Sequence, residues 1–191
     1  MAICEDSTLK KKMILITVFL LVLFVVSLPI FLITKNDTIE TITITIGITL
    51  YHFAMRLVVG AVVNVIMKNK ANHNNIWFRE KRFESKLYKT LGVRKWKKRL
   101  PTYSPETFDF KQKNFEQIVG ATCQAEIVHE IIMVFSLLPI IAIPFLGGAV
   151  AIIITSVLAT LFDFLFVILQ RYNRPKLIRV MERFNKTLNK G

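Results

Sequence analysis

The sequence predicts an all-α, polytopic membrane protein with four transmembrane helices and a basic helical segment between the second and third. Hydrophobic residues make up 53% of the 191, and the mean hydropathy is +0.47. Soluble domains are nearer about 45–50% apolar and lack uncharged runs of about twenty residues. Four apolar stretches fall at about residues 13–34, 41–67, 118–142 and 146–170, and the Lys and Arg residues lie in blocks between and beside them.

The first stretch, Met13 to Thr34, is 22 residues without a charge. At about 1.5 Å per residue, that crosses a hydrocarbon core of about 30 Å. Lysines 10 to 12 resemble the basic region of a secretory signal. The apolar run is longer than a signal's, however, and no small-x-small site follows it, so a retained anchor is expected. The second stretch begins "TITITIGITL", whose alternation taken alone reads as a strand. A lone strand cannot satisfy its backbone in lipid, so a helix is expected there. The third and fourth stretches are separated by "PFLGG", a turn suited to a helical hairpin.

Topology follows from the cations. Segment 68–113 holds fourteen Lys or Arg, and the tail from Arg171 holds seven. The two remaining connections hold one, Lys35. The positive-inside rule then puts both termini and the central segment in the cytoplasm of a multi-pass cell-membrane protein. Residues 1–191 read as one membrane domain, with 68–117 as its cytoplasmic amphipathic segment. Within that segment Ile76/Trp77, Phe83, Leu87/Tyr88 and Leu91 recur at near-helical spacing, and Gly92 suits the left-handed position past a helix end. Trp77 and Trp96 among Lys and Arg suit a helix at headgroup level. Ser104-Pro105-Glu106 offers an N-cap, a first-position proline and an early acid. Anionic lipid accounts for the +13 net charge without nucleic acid as a partner. The two cysteines, Cys4 and Cys123, form no metal-type pair and are not expected to form a disulfide.

Ionisable residues inside the spans are few: His52 and Arg56 in the second, Glu126, His129 and Glu130 in the third, and Asp163 in the fourth. Arg56 and His129 each lie eleven residues from the basic end of their spans, about 16 Å deep at about 1.5 Å per residue, and Asp163 about 10 Å deep. Glu126, His129 and Glu130 share one helix face, His52 and Arg56 form an i, i+4 pair, and Asn64 falls on the same side. One internal polar cluster follows. Intramembrane ionisables are by default functional, with a structural ion-pair core as the alternative.

His129 as general base, oriented by Glu126 or Glu130, with Arg56 or Asn64 facing a developing oxyanion, is the set of parts acyl transfer needs. Glu126-x-x-His129 is half of the di-iron bundle motif, but no second half occurs, so no metal is expected. A covalent Cys123 is disfavoured, since an embedded thiol is usually inert.

"VRKWK" (Val93 to Lys97), "AEIVH" (Ala125 to His129) and "QRYNRP" (Gln170 to Pro175) occur in that order, and over roughly residues 76 to 177 the chain resembles the glycosyl diaponeurosporenoate acyltransferase family. That resemblance implies transfer of a fatty acyl group from a CoA or carrier-protein thioester, with no other cofactor, to a sugar hydroxyl of a membrane lipid, as in the last acylation of staphyloxanthin. It carries over Glu126, His129, Arg171, Asn173 and Arg174. Glu130 stands where the family has an aromatic and Cys123 where it has a basic residue, which leaves Glu126 the better partner for His129.

The expected assignment is therefore His129, Glu126, Glu130 and Arg56 as the catalytic group. His52, Asn64, Asp163, Arg171, Asn173 and Arg174 are expected to contact substrate, the arginines by holding a phosphate. The competing classes are a non-catalytic lipid-binding or assembly protein with a structural polar core, and a different membrane transferase such as a methyltransferase.

Overall fold

The computed structural model describes residues 6–97, 100 and 115–188, which are helical throughout apart from turns and loops. Its helices are α1 (Asp6–Thr34), α2 (Asp37–Met67), α3 (Glu84–Thr90), α4 (Val93–Trp96), α5 (Phe115–Ile141), α6 (Ile143–Leu146) and α7 (Ala149–Leu188), with a 3-10 turn at Ile76–Phe78. Four of them are long and apolar enough to cross a membrane: α1, α2, α5 continuing into α6, and α7.

The antiparallel pair α5 and α7 is the centre of the bundle, α2 packs against both, and α1 packs chiefly on α2. The ends of the elements follow from local chemistry. Asn36 caps α2, its Oδ1 accepting from the backbone N–H of Thr38 at 2.9 Å and of Ile39 at 3.4 Å. Gly147 and Gly148 both have positive φ (69° and 59°), so the hairpin expected at "PFLGG" turns where only glycine is unstrained. The threonines of "TITITIGITL" are helical, and most of their hydroxyls bond back one turn, Thr45 to Thr41 O and Thr49 to Thr45 O each at 2.7 Å, while Thr43 donates across to Ser27 O of α1. A hydroxyl satisfied on its own helix can face lipid.

Two expectations need correction. The helix that carries the fourth apolar stretch does not stop at residue 170. α7 runs on through "QRYNRP" to Leu188, with Pro175 inside the helix, and carries its basic residues beyond the apolar zone. Residues 76–91 are not one amphipathic helix. The 3-10 turn and α3 are separate, and Ile76, Trp77, Phe83 and Leu91 are exposed, whereas Phe78, Glu84 and Tyr88 are buried. The reason lies in α7, whose arginines capture the backbone of this segment (below). Gly92 sits just past α3 with φ 59°, as its position suggested. The motif Ser104-Pro105-Glu106 lies outside the described residues.

The α2 and α5 ends are locked together. A Cβ on Gly120 would lie 2.4 Å from Asn69 O, so only glycine permits this approach. One turn on, Gln124 Oε1 accepts from Asn69 N at 2.7 Å, and its Nε2 donates to Asn64 Oδ1 at 3.2 Å.

Candidate functional site

The polar residues of the spans form stacked layers, beginning at the end of the bundle that carries the basic segment. In the first layer Glu126, fully buried on α5, takes two arginines from α7. Arg171 Nη1 donates to its Oε1 at 2.5 Å, and Arg174 Nη2 donates to its Oε2. Arg171 also donates from Nε and Nη2 to Glu84 Oε1 (2.8 and 2.5 Å), from Nη1 to Trp77 O and from Nη2 to Arg79 O, both at 3.1 Å.

All five N–H donors of a guanidinium are thereby engaged. Arg174 donates from Nε to Thr122 Oγ1 and from Nη2 to Thr122 O at 3.1 Å, and from Nη1 to Phe78 O at 3.2 Å, and it lies over the Phe78 ring. Consecutive carbonyls of the 3-10 turn, orphaned at its end, are thus satisfied by α7. These arginines hold the 77–79 segment and Glu126 in place. They are not open forks for a phosphate, as the sequence suggested.

One turn deeper, Asp163 of α7 joins two other helices. His129 Nδ1 lies 2.9 Å from its Oδ1, and Arg56 Nη2 donates to its Oδ2 at 2.5 Å. A carboxylate only accepts, so Nδ1 carries the proton, and Nε2 is the ring nitrogen with its lone pair available. The ring is held flat against Phe166, with centroids 4.7 Å apart and planes 11° apart. The Asp163 side chain is 2% exposed, against 21% for His129, so the imidazole is partly accessible while the carboxylate that holds it is buried.

The expected pairing of Glu126 with His129 is therefore corrected to Asp163 with His129. Arg56, expected at an oxyanion, gives Nη2 to Asp163 and, at 3.4 Å, to Ala159 O, while its buried Nε has no hydrogen-bond partner.

His52, one turn further along α2, is buried with neither ring nitrogen hydrogen-bonded. Ser136 of α5 and Ser156 of α7 are likewise buried with unpartnered hydroxyls. Asn64 is exposed and tied to Gln124, so it belongs to the α2–α5 lock rather than to the His129 layer. Asn173 Oδ1 accepts from Lys97 Nζ at 3.2 Å, joining "QRYNRP" to "VRKWK". Cys123 is a free, fully buried thiol. Among the described residues no group of three or more His, Cys, Asp or Glu converges in a way that could hold a metal.

Glu130 points elsewhere from Glu126. Its Oε2 accepts from Trp77 Nε1 at 3.0 Å, at the wall of a cavity of about 430 Å³ that Asn72, Asn75 and Ile127 also line. Ile127 and Glu130 flank His129 in sequence, but the histidine is not among the residues that line this cavity; it faces Asp163 and Phe166 of α7.

Sequence reasoning missed Glu84, Thr122, Gln124 and Phe166. Glu84 lies among the charges of the basic segment, and nothing local in the sequence marks it as a partner of Arg171. Gln124 immediately precedes "AEIVH" near the start of the third span, and an uncharged amide there was a signal available to be read.

Over residues 74–183 the sequence matches the family model described as glycosyl-4,4'-diaponeurosporenoate acyltransferase. Comparison with curated proteins and with solved structures returns no match. The matched region takes in the 3-10 turn, α3 to α6, and α7 through Arg183, so it contains His129, Asp163, Glu126 and both arginines of "QRYNRP". With more than half of its length matched, the chain belongs to the glycosyl-4,4'-diaponeurosporenoate acyltransferase family.

Proposed function

We propose that the protein transfers a fatty acyl group from an acyl thioester to a hydroxyl of a membrane glycolipid, with His129 as general base. The observation that carries this reading is the His129–Asp163 pair: a partly exposed imidazole held in one tautomer by a buried carboxylate. His129 Nε2 takes the proton of the acceptor hydroxyl as its oxygen attacks the thioester carbonyl. The C–S bond then breaks, and the thiolate leaves with the proton that His129 returns. Asp163 fixes the ring and stabilises the imidazolium between those steps, and Arg56 holds Asp163. Glu126 with Arg171 and Arg174 is a positioning network.

The acceptor's sugar would sit in the cavity beside Trp77, Asn72, Asn75 and Glu130. An exposed indole and amide groups are suited to a carbohydrate, and the acyl chains would lie against the apolar flanks of the spans. The basic segment and both termini face the cytoplasm on this reading, with Ile76, Trp77 and Phe83 immersed at headgroup level.

The test is transfer of a labelled acyl thioester to glycolipid by protein in lipid nanodiscs. Wild type should transfer, and folded His129→Ala should not. Full activity in that variant would refute the assignment of the base.

A further inference from the structure

A second cavity, of about 470 Å³, lies between α3–α4 and the part of α7 beyond the apolar zone. Lys89, Arg94, Lys95, Lys176 and Arg179 line it, and among the described residues Glu80 is the one carboxylate in its lining. All five cations are exposed, and none is in an ion pair among the described residues. Arg171 and Arg174 spend their donors chiefly on internal acceptors, whereas these five exposed groups have donors left for an external anion.

The cleft is built rather than incidental. Val93 and Trp96 pack inward with Tyr88 and Tyr172 around Ile168, which turns the intervening Arg94 and Lys95 outward. Lys176 Nζ sits 3.4 Å over the Tyr172 ring, and Lys97 lies over the same ring at 5.1 Å. At Gly92, which also lines the cleft, a Cβ would meet nothing within 4 Å, so the space there is open. "VRKWK" and "QRYNRP", far apart in sequence, supply the two walls.

We propose that this cleft binds the 3′-phosphorylated adenosine diphosphate of a coenzyme A thioester, making CoA the donor's carrier. The inference rests on the acyl-transfer reading above. A flat anionic membrane surface would use cations along a rim. Here cations from two chain segments converge on one concavity with an aromatic wall, the arrangement that several phosphates on one small molecule require. Its position fits too. Tyr172 is nine residues beyond Asp163 on α7, about 14 Å along the helix axis at about 1.5 Å per residue, and the extended pantetheine arm is a chain of comparable length. The wall is also wired to the site: Tyr88 OH donates to Glu84 Oε2 at 2.8 Å, Glu84 holds Arg171, and Arg171 holds Glu126.

The test is calorimetric titration of CoA and 3′-dephospho-CoA into the full-length protein in nanodiscs of neutral phosphatidylcholine. Wild type is expected to bind CoA, and to bind dephospho-CoA about tenfold more weakly, the worth of one charged hydrogen-bonding group. Arg94→Gln with Arg179→Gln, both at exposed positions, should weaken CoA by about tenfold or more and raise the donor KM. His129→Ala should bind CoA like wild type.

Absence of CoA binding to wild type overturns the proposal. So does CoA binding that ignores the Arg94/Arg179 change, or a cleft that captures only an acidic carrier protein or anionic vesicles. If CoA binding follows expectation but His129→Ala still transfers, the base assignment fails and the cleft stands.

Discussion

His129 is oriented by Asp163, a carboxylate on another helix 34 residues away in sequence, through a contact of 2.9 Å between Nδ1 and Oδ1. Asp163→Asn keeps the shape but presents an amide whose N–H₂ competes for the same ring nitrogen, so the wrong tautomer becomes available. Transfer is expected to fall by about 10²–10⁴-fold, the usual worth of a positioned base. Helix content by circular dichroism should stay that of wild type, separating the chemical loss from misfolding.

Asp163 also neutralises Arg56. Asp163→Leu alone leaves a largely buried guanidinium unpaired and should cost up to about 3–5 kcal/mol. Arg56→Met with Asp163→Leu removes both charges and should regain most of that stability without regaining activity. Unfolding in mixed micelles measures the first quantity, and a transfer assay the second.

Glu126 makes a different prediction, because both of its oxygens serve Arg171 and Arg174 rather than His129. Glu126→Ala should lower stability by about 3–5 kcal/mol, since it strands the buried Arg174 and removes one of the two carboxylates on Arg171. Limited proteolysis should then show the 74–83 segment released from α7. Lost activity at unchanged stability and unchanged protection would instead place Glu126 in the chemistry.

Gly120→Ala tests the α2–α5 lock. The added carbon meets a backbone carbonyl rather than a yielding side chain, so the helix ends must part, at about 1–3 kcal/mol. Gly60, on α2, has nothing within 4 Å of a Cβ, and Gly60→Ala should be neutral or slightly stabilising in the same thermal unfolding assay.

Burial, and then its hydrogen bond to Glu84, push the Tyr88 hydroxyl's pKa up. The folded state therefore keeps a proton that the unfolded chain releases near pH about 10. The stabilisation is fully present below that pH and is lost as pH rises beyond it. Denaturation between pH 9 and 11 should show wild type losing stability more steeply than Tyr88→Phe on the alkaline side.

The spans were legible because their signal is compositional: "MILITVFLLVLFVVSLPIFLIT" needs no partner to declare itself. The glycines of "PFLGG" and Gly92 were legible because a positive φ needs that residue type. Partner choice was not. Glu126, His129 and Glu130 were correctly put on one side of one helix, yet they face three different neighbours, an arginine pair, Asp163 and Trp77. Sequence spacing fixes position around a helix, whereas pairing depends on how deeply α7 is set against α5. The continuation of α7 through Pro175 was hidden for a related reason. Hydropathy ends at Gln170, but the helix is carried on by arginines whose acceptors come from α5 and from the central segment.

The most direct measurement compares lipid extracts, by untargeted mass spectrometry, from cells expressing wild type, His129→Ala and Asp163→Asn at equal membrane levels, with a glycolipid acceptor supplied. The account predicts a glycolipid that gains the mass of one fatty acyl group with wild type, with the gain absent for His129→Ala and strongly reduced for Asp163→Asn. Three matching profiles, with acceptor present and unmodified, would contradict it and leave the His129–Asp163–Arg56 layer as a structural pin between helices.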